Sequence, residues 1–166
     1  MTIREERPED RAAIWDVNRL AFQQTDEADL VDRLRADGVV ILSLVVEDAG
    51  ELAGHILFSD LLVETEAGAL HSVALAPVAV RPERQGQGIG SQLIREGLRR
   101  CRELGQSSVV VVGHAAYYPR FGFSAALAQP LRHALFSGDV WMALELKPGA
   151  LSGVSGMVRY PAAFGC

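Results

Sequence analysis

Two cysteines among 166 residues are too few for a disulfide framework. Cys101 falls on the apolar side of a predicted helix and reads as a small core residue, while Cys166, the last residue, has no assignable role. No apolar run approaches the roughly 18 residues of a membrane span. The opening MTIREERPED is charged at once, which does not suit a secretory signal. A cytoplasmic protein without a membrane partner is the expectation. Basic runs are also missing and the net charge is -5, which argues against a nucleic-acid surface. That charge is mildly compatible with an amine substrate, although plain solubility is the better explanation of it. His55, His71, His114 and His133 lie scattered without recognisable ligand spacing, so no metal is expected. Internal repeats and low-complexity tracts are absent as well.

What is present is an ordinary globular composition, 49% hydrophobic and 22% charged, expected to form one domain over residues 1–166. Ile3 to Glu6 reads as a first strand. Pro8 then suits the first turn of a helix carrying Ile14, Val17 and Ala21 at helical spacing. A second helix starts near Asp26 and stops at Gly38. Val39 to Glu47, Leu52 to Val63 and Leu70 to Val80 read as strands joined by turns at Asp48 to Gly50 and Thr65 to Gly68, an antiparallel meander. Ile89 to Leu104 is an amphipathic helix with Leu93, Ile94, Leu98 and Cys101 on one face. The apolar run Val109 to Val112 predicts a buried parallel strand. Further on, Ala115 to Phe121 predicts a short helix, Ala134 to Phe136 and Val140 to Leu146 predict strands, and the tail Pro148 to Cys166 is expected to pack on the surface.

The stretch Pro77 to Leu93, PVAVRPERQGQGIGSQL, organises the chain. A strand-like segment (Val78, Ala79, Val80) runs through a proline turn and a glycine corner into the helix. Gly86, Gly88 and Gly90 let the backbone take positive φ and approach a ligand closely. Their N–H groups, with those of Gln87, Ile89 and Ser91, fall among the unpaired donors at a helix start, where the dipole favours an anion such as pyrophosphate. The same glycines would also serve a tight turn that binds nothing. The corner is G-x-G-x-G with LIREGLRRC behind it, so it lacks the spacing and acidic residue of a dinucleotide fingerprint. Gly90 is followed by Ser91 and Gln92, which excludes a Walker loop. Pro77 cannot donate to a ladder, yet its neighbours look central, so a bulge is expected there.

Gln85, Gly88 and Gly90 resemble the Q/R-x-x-G-x-G/A signature of the GNAT superfamily of acetyl-CoA-dependent N-acetyltransferases, and YYPRFGF (Tyr117 to Phe123) resembles its F-Y-x-x-x-G-F segment. GHILFS at Gly54 to Ser59 and the tail LELKPGALSGVSGMVRYPAAF are similar to a bacterial, YhbS-like branch of that superfamily. The resemblance covers Val78 to Phe123 most strongly. It implies a mixed α/β fold of the α+β type: a mostly antiparallel central sheet flanked by helices, with a parallel strand-helix-strand unit at the cofactor site. It implies acetyl-CoA as cosubstrate and a small-molecule amine or peptide as acceptor, with the first two helices overlying the acceptor site. Homodimers are common in such folds and remain open here.

By the same resemblance, Val78, Ala79 and Val80 on a splayed strand would pair with the cofactor's amides, and Tyr118 would protonate the departing thiolate. Tyr117, at the motif's phenylalanine position, is expected in the core. Arg84 and Gln85 flank the corner and are candidates for the pyrophosphate or phosphorylated ribose, with Arg120 a weaker one. Acetyl transfer also needs a neutral amine. The glutamate that many relatives carry on the bulged strand is replaced by Leu75, Ala76 and Pro77, which leaves water, His71, His114 or Glu47 as bases and the choice open. The missing carboxylate also suits a non-catalytic acyl-CoA-binding or sensing module, and the acyl group itself need not be acetyl.

Overall fold

The computed structural model describes all 166 residues. The β-branched runs and their turns form the expected meander. β1 (Thr2–Glu5), β2 (Val40–Asp48), β3 (Glu51–Thr65) and β4 (Gly68–Val80) pair antiparallel in chain order. β5 (Ser108–Val112) adds parallel to β4, and β7 (Trp141–Glu145) adds antiparallel to β5, giving the order β1-β2-β3-β4-β5-β7. The sheet is therefore mixed and mostly antiparallel.

Helices cover both faces. α1 (Arg11–Phe22) and α2 (Asp26–Ala36) bury Ile14, Val17, Val31 and Leu34 against Val45, Leu57 and Ala79. α3 (Ile89–Glu103) lies on the other face, with Ile89, Leu93, Ile94, Leu98 and Cys101 against Ile56, Phe58, Val73 and Val109. Each such aliphatic side chain contributes about 1.5–3 kcal/mol on leaving water. α3 sits close because Gly97 faces Phe58: a Cβ there would stand 2.5 Å from the ring's Cζ.

β4 changes register at its proline. Ile56 pairs with Val78 while Phe58 pairs with Leu75, so three steps on β4 oppose two on β3, and the extra residue falls within Ala76–Pro77. An inserted residue reverses the inside-outside alternation. Val73 and Leu75 face α3, and so do Val78 and Val80, whereas Ala79 turns to the α1/α2 face. β4 and β5 pair only at Val73 with Val109 and Ala74 with Val110, so beyond Ala74 the two strands part.

The last third of the chain departs from expectation in three places. Ala115 to Phe121 is no regular helix; a 3-10 turn occupies Tyr118–Phe121 only, closed by Gly122 at φ +100°. Ala134 to Phe136 is not a strand. The short β6 is Leu131–Arg132, after α4 (Ala125–Ala128), and residues 133–137 form an irregular loop whose N–H groups are not needed by any ladder. The tail does more than pack on the surface: Gly156–Arg159 forms β8, which pairs with the part of β3 beyond the end of β2 (Leu62 with Arg159, Glu64 with Met157) and runs parallel to β6. This closes a second core of Leu61, Val63, Val110, Leu131, Trp141 and Val158 on the α1/α2 side of the sheet.

Candidate functional site

The corner after β4 is built for an anion. Pro82–Arg84 makes a 3-10 turn, and Gly86 and Gly88 then adopt φ of +75° and +83°, values that a side chain would strain. Gly88 is the N-cap of α3. The N–H groups of Gly86, Gln87, Gly88, Ile89, Gly90 and Ser91 have no carbonyl or side-chain acceptor in the protein; the first paired donor is Gln92, to the Gly88 carbonyl. A run of unpaired donors at the positive end of a 15-residue helix is an arrangement that favours an anion such as a phosphate group. Gly90 contributes differently: a Cβ there would sit 3.6 Å from Tyr117 Oη and 3.8 Å from a Val80 methyl, in ordinary contact.

The polar side chains at the corner are partly committed. Gln85 donates from Nε2 to the Val80 carbonyl at 3.0 Å, so it braces the end of β4 and occupies that acceptor. Arg84 donates to Asp48 Oδ2 at 2.9 Å and leans on Gln87 Oε1 at 3.4 Å. Val78 and Ala79 lie on the stretch of β4 whose β5 side is open.

Tyr117 and Tyr118 close the far side of this cleft. Tyr117 is not a core residue. Its ring is half-buried, and its hydroxyl hydrogen-bonds Ser91 Oγ at 2.9 Å, tying the aromatic segment to the start of α3. The hydroxyl that phenylalanine lacks is the physical reason for the difference, because it needs a polar partner when half-buried. Arg120 lies over the Tyr117 ring at 4.8 Å and Arg95 over Phe121 at 5.0 Å, adding exposed positive charge on that flank. Tyr118 packs edge-on against Phe123 and Phe121 and over the backbone of Gly113, where a Cβ would come within 2.7 Å of its Cδ2. Its hydroxyl has no protein partner. Burial, and to a lesser extent the neighbouring Tyr117, pushes its pKa up to about 12, so it holds its proton throughout the physiological range.

The three candidate bases separate. Glu47, near the end of β2, is bound to Arg4 Nε at 2.7 Å. His71 is exposed, pairs with Asp60 at 2.9 Å, and stands six residues before Pro77 along β4, about 20 Å from the bulge. His114 alone is at the site: it follows β5, is exposed, and its carbonyl accepts from the N–H groups of Tyr117 and Tyr118. His55 has a structural place. It is wholly buried between Ser43 Oγ (2.9 Å) and Asn18 Nδ2 (3.1 Å), and burial drives its pKa down to about 3. No group of three or more His, Cys, Asp or Glu side chains is assembled in a way that could hold a metal ion.

Comparison with known proteins identifies the family. The acetyltransferase (GNAT) domain profile matches residues 2–126. The uncharacterized N-acetyltransferase YhbS of Escherichia coli K12 is 39% identical over 163 residues, 96% of either chain. The crystal structure of Escherichia coli YhbS in complex with CoA superposes with a TM-score of 0.90 over 99% of this chain and 92% of that one, at 36% identity. A GNAT family acetyltransferase from Brucella melitensis in complex with acetyl-CoA matches with a TM-score of 0.83 and 39% identity, covering 98% of this chain and 97% of that one. With its glycine corner, its bulged and splayed fourth strand and these matches along nearly its whole length, the chain belongs to the GNAT family of acetyltransferases.

Proposed function

We propose that this protein transfers an acetyl group from acetyl-CoA to a primary amine by direct attack of the amine on the thioester. The observation that carries the reading is the unbroken run of unpaired N–H groups from Gly86 to Ser91, set beside the open flank of β4. Those donors hold the pyrophosphate. Val78, whose backbone groups face that open flank, offers them to the cofactor's amides, as an added strand would, whereas those of Ala79 are committed to His55 on β3. Arg84, Arg95 and Arg120 supply positive charge around the phosphates. The complexes of related proteins with CoA and acetyl-CoA support the choice of cosubstrate.

In the transfer, the amine nitrogen forms the new C–N bond, the C–S bond breaks, and the sulfur departs as a thiolate. Tyr118 gives that thiolate its proton, a role suited to a hydroxyl kept protonated by burial. The proton lost by the nitrogen passes to water or to His114, the one candidate base at the end of β5. The acceptor is a small-molecule or peptide amine. Calorimetric titration with acetyl-CoA and CoA, followed by thiol release against a panel of amines, tests the reading. Tight binding with amine-dependent release is expected. Binding with slow hydrolysis and no response to any amine would favour a sensing module instead. Replacing Tyr118 with Phe should lower kcat by about 10- to 1000-fold with little change in cofactor affinity; an unchanged kcat would remove Tyr118 from the acid role.

A further inference from the structure

The segment that carries Tyr118 is joined to the rest of the protein by a single hydrogen bond. Backbone pairing with other elements stops at Gly113, whose N–H donates to the Val140 carbonyl, and resumes at Ser124, whose N–H donates to the Ala143 carbonyl. Between these points the N–H groups of Tyr117, Tyr118, Arg120 and Gly122 donate to the carbonyls of His114, Tyr117 and Pro119, all within residues 114–122. The bond that leaves the segment runs from the Tyr117 hydroxyl to Ser91 Oγ, at 2.9 Å.

The other attachments are ring contacts. Tyr117 stands edge-on to Tyr118 at 5.2 Å and to Phe121 at 5.1 Å, and Tyr118 stands edge-on to Phe123 at 5.7 Å. Edge-on pairs are favourable over centroid separations of about 4.5–7 Å, a latitude wider than the roughly 1 Å that separates a productive from an unproductive reacting geometry. A bond between two hydroxyls keeps its length within about 2.5–3.0 Å. Ring packing therefore keeps the segment in its neighbourhood, and the Tyr117–Ser91 bond sets its position. Tyr118 cannot do this for itself, because its hydroxyl has no protein partner.

Ser91 is a firm anchor for that bond. It lies in the first turn of α3, between the buried Ile89 and the buried Leu93 and Ile94. Its N–H is the last of the unpaired run at the glycine corner, while its Oγ holds Tyr117. The Tyr117 hydroxyl lies against the same turn, 3.6 Å from where a Cβ on Gly90 would stand. One residue thus faces both the phosphate cradle and the aromatic segment. Tyr117 and Tyr118 are consecutive, so a shift of the first carries the second with it.

We propose that Tyr117 is a positioning residue for the transfer: its hydroxyl, held by Ser91, fixes Tyr118 relative to the cradle that sets the place of the cofactor's sulfur. The inference rests on the acetyl-transfer reading with Tyr118 as the acid, so it is tested by one readout that needs no turnover and one that does. The first is hydrogen exchange of residues 114–122 in the unliganded protein, followed by mass spectrometry. Tyr117→Phe and Ser91→Ala should each speed exchange across that segment and leave α3 protected, with Tm within about 4 °C of the parent. The second is thiol release from acetyl-CoA with an active amine. Each variant should lose about tenfold in kcat, with KM for acetyl-CoA near the parental value, and the double variant should lose no more than either single one. In a Tyr118→Phe background, Tyr117→Phe should have no further effect. Unchanged exchange, losses that multiply in the double variant, a loss carried by KM, or a full further loss in the Tyr118→Phe background overturns the positioning role. A parental kcat in Tyr118→Phe overturns the acid reading instead; faster exchange in Tyr117→Phe then still upholds the tie to Ser91, and unchanged exchange overturns that as well.

Discussion

A methyl group at Gly113 should disable the chemistry while leaving the cofactor site intact. The new Cβ would stand 2.7 Å from Tyr118 Cδ2 and nearer still to Cε2, where carbons in contact keep about 3.5–4 Å. Gly113 is not among the positive-φ positions, so alanine suits its backbone and the conflict falls on the ring. Tyr118 must withdraw by about 1 Å, and Phe123 and Phe121 behind it leave little room. A misplacement of about 1 Å can cost roughly 100-fold in rate. The overpacking itself costs about 1–3 kcal/mol, or roughly 2–12 °C in Tm for a chain of this size. Gly97→Ala is the control, because its Cβ would meet the Phe58 ring at 2.5 Å in the core, two helical turns from the corner. Both variants should melt earlier by similar amounts, but only Gly113→Ala should lose kcat, with its affinity for acetyl-CoA unchanged in calorimetry. A Gly113→Ala enzyme with parental kcat, or a Gly97→Ala enzyme equally slowed, would refute the placement of Tyr118 at the reacting sulfur.

Three further outcomes follow from the same geometry. Gly88→Trp, at φ +83° with open space around its Cβ position, should abolish CoA binding while the far-ultraviolet spectrum persists; undiminished binding would sink the pyrophosphate assignment. The buried His55 should make stability fall on acidification: its folded pKa near 3 lies below the unfolded value of about 6.5, so the unfolded state binds the extra proton. Its stabilising contribution is full above pH 6.5 and declines by about 1.4 kcal/mol per pH unit below it, a slope that denaturant titrations should find reduced by one proton in His55→Gln. Native protein treated with iodoacetamide at pH 8 should be alkylated at exposed Cys166 and spared at Cys101, whose burial raises the thiol pKa to about 12; labelling at Cys101 without denaturant would contradict its place under α3.

The amino-acid sequence by itself determined the elements whose signals are local. Gly86 and Gly88 mark positive φ, Leu93 to Cys101 mark one helical face, and Pro77 between central-looking neighbours marks a bulge; each depends only on residues a few positions away. Tertiary structure decided what depends on distant partners. The pairing of β8 with β3 joins residues nearly a hundred apart, and no local pattern in the Gly- and Ser-rich tail announces it. Tyr117 left its expected core position because Ser91, far away in sequence, stands ready for its hydroxyl. Glu47 and His71 were withdrawn as bases only when Arg4 and Asp60 were brought beside them. The ring cluster of His133, Phe136, Trp141 and Tyr160 likewise gathers from a loop, a strand start and the tail. Backbone propensities and short-range periodicity are written along the chain, whereas side-chain partnership across a folded sheet is settled by the packing of the whole.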